Sequence, residues 1–265
     1  MGVVNVTPDS FSDGGRFLVF DAAVAHGLQM TADGADLVDV GGESTRPGAD
    51  PVSVDDEIDR VVPVIRALAD QGVVVSVDTS KAEVAAAAVE AGAAVVNDIT
   101  ALADAEMVAV VAGSSAGVVL MHMQGTPRTM QQDPHYDDVV AEVAEFLIAR
   151  AAAATVVGVA PGAIAVDPGI GFGKDLTHNL DLLTTGVAFL AEAGFPVLVG
   201  ASRKSFIERV IGPVPPEERD APTVAAHTLA IAAGAAAIRV HNVVVGTRSA
   251  RVADAIVRGR DTIRS

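Results

Sequence analysis

Short runs of β-branched apolar residues alternate with longer alanine-rich stretches along the whole chain. The run at 73–78 is nearly continuous in apolar residues, which is typical of a strand with both faces buried in a parallel sheet. The stretch at 55–70 instead repeats its apolar residues on one helical stripe. Strand followed by helix, without a hairpin signal, indicates consecutive βαβ units. The predicted strands lie near residues 2–6, 36–40, 73–78, 94–98, 116–121, 163–167, 196–200 and 236–240.

Glycines at the ends of the helical stretches support this interpretation, because glycine adopts the left-handed conformation that ends a helix before a tight turn. Seven are placed in this way: Gly34, Gly72, Gly92, Gly117, Gly162, Gly194 and Gly234. With the opening strand they predict eight βα units, about 34 residues apart between Asn5 and Val240. An open, doubly wound sheet gives similar alternation. Eight units without a break in composition favour one α/β domain over residues 1–265, a single (β/α)8 TIM barrel.

Composition limits the partners. The formal net charge of −16 argues against nucleic acid or an anionic membrane as the main partner. The chain has no cysteine, which excludes disulfides and thiolate metal sites. Its first residues lack a signal-peptide pattern, and no stretch has the roughly 18 uninterrupted apolar residues of a membrane span. We therefore expect a cytoplasmic protein without a membrane segment.

Every predicted strand ends in polar residues. In a (β/α)8 barrel the active site lies at the carboxyl ends of the strands. Taken singly, Asp39 and Asp98 are more typical of residues that cap the next helix. Polar residues at all eight ends nevertheless predict one shared site. They are Asn5, Asp39, Asp78, Asn97, Asp98, His122, Asp167, the turn at 202–204, Arg239 and His241.

One group of these residues is suited to a flat heterocycle. Asp78, Asn97 and Asp167 form a carboxylate–amide–carboxylate set that a guanidine-like ring edge would satisfy. Lys204 could reach a ring carbonyl. In the loop at 167–174, the glycines allow the backbone to approach a ligand and Phe172 is available to pack on it.

A second group is suited to phosphate. Arginine forks match phosphate oxygens, and an asparagine oxygen suits a hard cation such as Mg²⁺. The residues concerned are Asn5, Arg46, Arg239 and His241.

Four loops stand out. Those at 5–15 and 41–48 follow the first two strands, and the first is a candidate mobile lid. A longer loop at 124–136 follows strand five. The segment at 212–222 is interpreted as a surface excursion.

Motifs in order along the whole chain resemble those of the dihydropteroate synthases, and the first, second and sixth are individually specific. They are residues 2–15 (GVVNVTPDSFSDGG), 39–48 (DVGGESTRPG), 76–79 (SVDT), 96–98 (VND), 120–123 (LMHM), 167–174 (DPGIGFGK), 200–205 (GASRKS) and 239–241 (RVH).

The resemblance implies a role for each matching position. Catalytic roles fall on Asp78, Asp167 and Lys204. The residues implied to bind the pterin are Asp78, Asn97, Met121, Asp167, Phe172, Gly200 and Lys204. Those implied to bind pyrophosphate are Asn5, which would also contact its Mg²⁺, Arg46, Arg239 and His241. Those implied to enclose p-aminobenzoate are Phe11, Thr45, Pro47, Ser202 and Lys204.

The implied reaction joins p-aminobenzoate to a pterin methyl pyrophosphate and releases pyrophosphate, with Mg²⁺ as cofactor. Such a step needs charge stabilisation and positioning more than a strong base. Sulfonamides would compete for the p-aminobenzoate site. The family is commonly dimeric, and the alanine-rich faces at 221–234 and 247–257 fit a homodimer as well as ordinary packing on the barrel.

Two alternatives stay open. A pterin-dependent methyltransferase would share the Asp and Asn pocket but has no reason to hold Arg46, Arg239 and His241 around a pyrophosphate. A catalytically silent paralogue would bind pterin without turnover. One departure from the family pattern is Asn242, which follows His241 where an acid is common and leaves a helper for that histidine in doubt.

Overall fold

The computed structural model describes residues 1–7, 16–44 and 48–259, in which eight parallel strands lie close to their predicted positions. Six of them pair consecutively in one sheet, and the last two pair with each other. They are β1 (Gly2–Asn5), β2 (Val38–Gly41), β3 (Val75–Asp78), β4 (Val95–Asp98), β5 (Gly117–Met121), β6 (Ile164–Asp167), β7 (Leu198–Val199) and β8 (Ala237–Ile238).

Two parallel bridges join the two groups of strands into a closed barrel. Val166 of β6 pairs with Val197 beside β7, and Gly2 of β1 pairs with Val240 just after β8. The closing bridge carries a backbone hydrogen bond of 2.9 Å from Val240 N to Met1 O. The prediction of a single (β/α)8 barrel rather than an open sheet is therefore confirmed.

Helices follow every strand and pack outside the barrel. The helix predicted at 55–70 is observed at Val54–Ala69, with Ser53 accepting a hydrogen bond from Asp56 N at its start. The helices are α1 (Arg16–Ala32), α2 (Val54–Ala69), α3 (Ala82–Glu90), α4 (Ala105–Ala112), α5 (Val139–Val156), α6 (Leu176–Asp181), α7 (Val187–Glu192), α8 (Ser205–Ile211), α9 (Asp220–Ala232) and α10 (Val243–Val257). A π-helical turn (Leu182–Gly186) joins α6 to α7, and 3-10 turns lie at Pro161–Ala163 and Pro216–Arg219.

The glycine prediction was right at five positions and wrong at two. Positive φ angles of 78° to 109° follow the predicted helices at Gly34, Gly72, Gly92, Gly194 and Gly234. Gly117 instead lies inside β5, and Gly162 lies in a 3-10 turn. The helix before β6 is followed by Gly158 at φ 108°. An additional turn separates this helix from β6, so the glycine nearest the strand is not the one that ends the helix.

The core consists mainly of valine, alanine and leucine, and it continues from the strands into the surrounding helices. Many of these side chains are fully buried, including Val38, Val75 and Leu147. In the described part of the chain, no helix combines the length and apolar character needed to cross a bilayer. The apolar residues thus pack inside the barrel and under its helices, and the polar strand ends are left at one face.

Candidate active site

The strand register places the predicted polar residues at one end of the barrel. Asn5 pairs with Gly41, Gly41 with Asp78, and Asp78 with Asn97, so four neighbouring strands end in one row. Met121 pairs with Asp167 at the ends of β5 and β6. Because the strands are parallel, all of these residues lie at the carboxyl face, where barrel enzymes build their sites.

Arg239, just after β8, connects two acids from other strands. Its Nε donates to Asp39 Oδ2 and its Nη2 donates to Asp78 Oδ2, both at 2.7 Å. Asn97 Nδ2 donates to the same oxygen of Asp39 at 3.2 Å. The helix-cap interpretation of Asp39 is therefore wrong: its fully buried side chain faces the barrel interior and ion-pairs with Arg239.

These bonds determine which groups remain to receive a ligand. Asn97 uses its amide nitrogen on Asp39, so its amide oxygen is the group available as an acceptor. Within the described part of the chain, Oδ1 of Asp39 is buried and has no hydrogen-bond partner. The polar edge thus offers acceptors, which suits a heterocycle that presents donors.

Asp167 and Lys204 form the opposite side of the same region. Asp167 Oδ1 accepts a hydrogen bond of 2.7 Å from Gly169 N. Lys204 donates to the carbonyl of Ile170, and its ammonium lies 4.5 Å from the centroid of the Phe172 ring. Electrostatic interaction couples Lys204 to Asp167 and to Asp78.

Gly200 lies between the two cations. A Cβ atom at this position would lie 3.9 Å from Lys204 Nζ and 3.8 Å from Arg239 Cβ. A larger side chain would extend into the space between them. The absence of a side chain here leaves the space between Lys204 and Arg239 open.

Burial shifts the proton equilibria of the three central groups. Burial raises the pKa of Asp78 to about 7; Arg239 opposes this shift, while Asp39, Glu57 and Asp98 add to it. Burial also raises the pKa of Asp167, with Lys204 as the strongest opposing charge. Burial lowers the pKa of Lys204 to about 8, and the charge of Asp167 limits the decrease. All three groups are desolvated and depend on one another for charge balance.

The turn that carries Ser202 and Lys204 has a strained backbone. Arg203 adopts φ 59°, a conformation that costs free energy for a residue with a side chain. Its guanidinium donates two hydrogen bonds to Asp220, at 2.7 and 3.0 Å. Its backbone N donates to Thr223 Oγ1 and its carbonyl accepts from Arg219. The segment at 212–222 is mostly exposed, as predicted, but its end holds this turn through Arg219 and Asp220.

Asp220 also connects this turn to the residues that follow β8. Asp220 Oδ2 accepts a hydrogen bond of 2.8 Å from Asn242 Nδ2, and Asn242 Oδ1 accepts from Val245 N at the start of α10. His241 Nδ1 lies 3.0 Å from Ser202 Oγ. The acid expected beside His241 is thus replaced by Asn242, which joins the two turns through Asp220.

Asp98 also does not cap the next helix, because the residue that caps α4 is Asp104. The carboxylate of Asp98 accepts hydrogen bonds from Thr100 N at 2.8 Å and Leu102 N at 2.7 Å. These bonds hold a turn in which Ala101 and Leu102 have positive φ angles. Asp98 therefore stabilises the turn after β4.

Four predicted site residues lie outside the described residues: Phe11, Thr45, Arg46 and Pro47. Just before the last three, Glu43 ion-pairs with Lys81, which also pairs with the buried Glu57. The structure thus brings together Asp78, Asn97, Asp167, Lys204, Ser202, Arg239 and His241, with Asn5 on the same rim.

Sequence reasoning missed Lys174. This lysine ends the glycine-rich loop after β6, its side chain is 2% exposed, and it donates to His122. The local signal that could have indicated it is its position directly after an uncharged, glycine-rich run of five residues, Gly-Ile-Gly-Phe-Gly. Asp220 was also missed, since nothing local in the sequence connects it with Arg203.

We predict that Asp220→Ala lowers the free energy of unfolding by about 1–2 kcal/mol at pH 7, because a charged hydrogen-bonded pair is lost beside a strained residue. The pairing lowers the pKa of Asp220, so its contribution is complete above the pKa of an unfolded aspartate, about 4, and disappears as the pH falls through the lower, folded-state pKa. Urea unfolding of both proteins at pH 7 and at pH 3 measures this.

The matched control is Asp254→Ala, which removes an exposed pair with Arg258 one helical turn away and is expected to cost about 0.5 kcal/mol or less. Equal effects of the two substitutions on the free energy of unfolding at pH 7 would contradict this role of Asp220.

Comparison with known proteins agrees with this geometry. A family model described as pterin binding enzyme matches residues 1–241. The dihydropteroate synthase of Escherichia coli K12 is 44% identical over 265 residues, 100% of this chain and 93% of its own length. That of Mycobacterium leprae is 47% identical over 250 residues, 92% of this chain and 88% of its own length.

Solved structures give the same result. The dihydropteroate synthase of Xanthomonas albilineans with 4-aminobenzoic acid superposes with a TM-score of 0.90 at 49% identity, over 97% of this chain and 92% of that one. The Yersinia pestis enzyme in complex with a sulfonamide drug also gives 0.90, at 44% identity, over 97% and 93%. The chain therefore belongs to the pterin-binding enzymes and, among them, to the dihydropteroate synthase family.

Proposed function

We propose that this chain joins p-aminobenzoate to a dihydropterin methyl pyrophosphate, giving 7,8-dihydropteroate and pyrophosphate. The observation that carries the proposal is the convergence of Asp78, Asn97, Asp167 and Lys204 beside Phe172 at the carboxyl face. A related Xanthomonas albilineans enzyme has been solved in complex with 7,8-dihydropteroate.

The pterin lies between the acids and Lys204 in this proposal. Its ring donors bond to Asp78, Asp167 and the amide oxygen of Asn97, and its ring carbonyl accepts from Lys204. Gly200 leaves space for the ring, and Met121 and Phe172 contact it.

The pyrophosphate lies beside the pterin, toward Arg239 and His241. In the structure Arg239 ion-pairs with both Asp39 and Asp78, so its planar guanidinium has a fixed position next to the proposed ring site. A guanidinium keeps its charge at any relevant pH and matches phosphate oxygens. Arg46 completes this side of the site in the proposal.

The Mg²⁺ in this proposal is bound chiefly by the substrate. Within residues 1–7, 16–44 and 48–259, no three His, Asp or Glu side chains are arranged to hold a metal ion. Mg²⁺ commonly retains several waters and binds through substrate phosphates with only one or two protein oxygens. Asn5, at the rim in the same row as Asp78, fits such a single oxygen. When bound, the ion would neutralise charge on the leaving pyrophosphate.

The p-aminobenzoate site lies on the outer side of the pterin in this proposal. Ser202 and Lys204 come from the turn that Asp220 holds through Arg203. The predicted contributors from the two loops are Phe11, Thr45 and Pro47. Since a related Yersinia pestis enzyme was solved with a sulfonamide drug, we propose that sulfonamides compete at this position.

The chemistry follows from these positions. The bond from the pterin methylene to oxygen breaks, and pyrophosphate leaves with the electron pair. The resulting cation is delocalised into the ring, where the nearby carboxylates stabilise it. The aryl amine attacks the methylene carbon and then loses a proton to solvent. This sequence needs fixed charges and exclusion of water more than a nucleophilic side chain.

A pterin-dependent methyltransferase is less well supported, because Arg239 lies beside Asp39 and Asp78 and His241 lies against Ser202, and a methyltransferase has no reason to hold these two residues around a pyrophosphate. A catalytically silent paralogue is the remaining alternative, and a measurement of turnover distinguishes it from an active enzyme.

We further propose one domain over 1–265, a cytoplasmic location and a homodimer. Exposed apolar side chains on α9 and α10, Leu229, Val252 and Ile256, support the dimer, which sedimentation can test.

We predict pyrophosphate release when the enzyme, Mg²⁺, dihydropterin pyrophosphate and p-aminobenzoate are mixed, with sulfonamides competing against p-aminobenzoate. Asp167→Asn should raise the pterin KM about 10- to 100-fold, because a neutral amide replaces the acceptor of two donors. A coupled pyrophosphate assay measures both. No release under these conditions, with a correctly folded protein, rules out the proposed activity.

We predict that affinity for 6-hydroxymethylpterin is greatest between about pH 7 and 8. Asp78 is ionised above its raised pKa of about 7, and Lys204 is charged below its lowered pKa of about 8. The ring donors favour the ionised carboxylate, so affinity should fall below pH 7; loss of the ammonium should weaken it above pH 8. Titration calorimetry of this phosphate-free ligand measures the profile.

Asp78→Asn is the matched variant for this profile. It should bind 6-hydroxymethylpterin more weakly at pH 7.5, and its affinity should no longer fall below pH 7. A wild-type affinity that stays flat from pH 6 to 9 would contradict the assignment.

We predict that Asn5→Ala raises the Mg²⁺ concentration needed for half-maximal activity, since one oxygen ligand is lost, while leaving affinity for 6-hydroxymethylpterin within about twofold. Asn5→Asp keeps an oxygen and should restore the Mg²⁺ response. An unchanged Mg²⁺ requirement in Asn5→Ala would remove Asn5 from the metal site.

A further inference from the structure

A fully buried lysine lies behind the proposed pterin site. Lys174 has 2% of its side chain exposed, and its burial lowers its pKa to about 7. A buried ammonium is costly unless every proton has an acceptor. The contacts of Lys174 therefore indicate what the residue does.

Three acceptors surround the nitrogen. Lys174 Nζ lies 2.8 Å from Phe172 O, 2.9 Å from His122 Nδ1 and 3.2 Å from His122 O. An ammonium has three protons, so all of them are used. His122 can accept at Nδ1 only when the ring is neutral and protonated at Nε2. Burial favours the neutral ring by lowering the pKa of His122 to about 3, and the hydrogen bond from Lys174 selects the tautomer.

The contacts join β5 to the loop after β6. His122 follows β5, and its backbone N donates to Asp167 O at 3.0 Å. A Cβ atom at Gly169 would overlap His122 O, and one at Gly173 would lie 2.6 Å from Gln124 O. The loop thus packs directly on the chain after β5, with Lys174 bonded to both segments.

Other side chains hold the loop from its remaining sides. Asn179 Oδ1 accepts from Gly171 N at 2.6 Å, Gln131 Nε2 donates to Gly171 O at 2.7 Å, and Tyr136 Oη donates to Gly173 O at 2.8 Å. These three bonds come from α6 and from the loop before α5. Lys174 holds the remaining side of the loop, next to Phe172, through its bonds to His122 and to the carbonyl of Phe172.

The loop carries two of the residues proposed to contact the pterin. Asp167 opens it, Phe172 lies near its end, and the carbonyl of Ile170 accepts from Lys204. We propose that Lys174 and His122 form a positioning pair that sets the location of Asp167 and Phe172 for pterin binding. This inference rests on the proposed function.

Charge supports the same role. The ammonium of Lys174 opposes the effect of burial on Asp167 and so favours the ionised carboxylate that a ring donor needs. Lys174 does not itself serve as a ligand for the substrate, because its three protons already have protein acceptors. It acts through the loop and through the charge on Asp167.

The test is a set of substitutions read by steady-state kinetics. Lys174→Met keeps the unbranched side chain as far as Cε and removes the ammonium with its three bonds. We expect its pterin KM to rise about 10- to 100-fold, since small displacements of binding groups have effects of this size, with the p-aminobenzoate KM within about twofold. His122→Leu should act in the same direction, and His122→Asn, which keeps an acceptor near the position of Nδ1, should stay near wild type.

If Lys174→Met does not fold, the comparison of His122→Leu with His122→Asn tests the positioning pair. Arg258→Met is the matched control, because Arg258 also donates to a backbone carbonyl, that of Ala235 at 2.6 Å, before β8 at the other end of the barrel. It should change thermal stability without changing the pterin KM.

A direct observation of the pair is also accessible. The chain contains three lysines, so a protein labelled with ¹⁵N-lysine gives a spectrum in which Lys174→Met removes one signal. That signal is expected to exchange slowly with solvent in the wild-type enzyme.

The inference is overturned if folded Lys174→Met or His122→Leu has an unchanged pterin KM, or if Arg258→Met raises that KM equally. The outcome for Asp167→Asn distinguishes failure of the positioning pair from failure of the proposed pterin site. If Asp167→Asn weakens pterin binding and Lys174→Met does not, only the positioning pair fails. If neither does, the placement of the pterin fails, and the positioning pair fails with it.

Discussion

The ion pairing of Arg239 with Asp39 and Asp78 is the interaction on which the described site depends. Carboxylates buried without a cation cost several kcal/mol each by desolvation. Arg239 follows the last strand, whereas its two partners belong to the second and third. The pairing therefore requires β8 to lie against β1, as it does through the bridge between Gly2 and Val240. Closing the barrel and assembling the site are one physical event.

The strand pattern in the sequence was sufficient to predict that the polar strand ends lie at one face. In a parallel sheet every strand ends at the same face, so Asp78, Asn97 and Asp167 had to converge once their strands were recognised. The strands were recognisable because β-branched runs with both faces buried have few alternatives. Lys204 follows from the same rule, as it lies just after β7. Which ligand they hold came from the family resemblance.

The pairings between these residues could not be predicted in the same way. Taken singly, Asp39 has the pattern of a helix cap, because its partner lies 200 residues away in the chain and leaves no local signal. The acidic, proline-rich neighbourhood of Asp220 is typical of exposed loops and gives no sign of its pairing with Arg203. Its actual role depends on the packing of α9 beneath the turn at Arg203. Such contacts are set by tertiary geometry and cannot be predicted from local composition.

Each of the three lysines of this acidic chain has specific acceptors. Lys81 pairs with Glu43 and Glu57, Lys174 with His122 and two carbonyls, and Lys204 with the carbonyl of Ile170. Each follows a strand end on the carboxyl face. An ammonium directs three protons tetrahedrally, which suits acceptors that surround one point; a planar guanidinium suits acceptors in one plane. Lys174→Arg would therefore keep the charge and still misplace the loop, so geometry as well as charge selects lysine there.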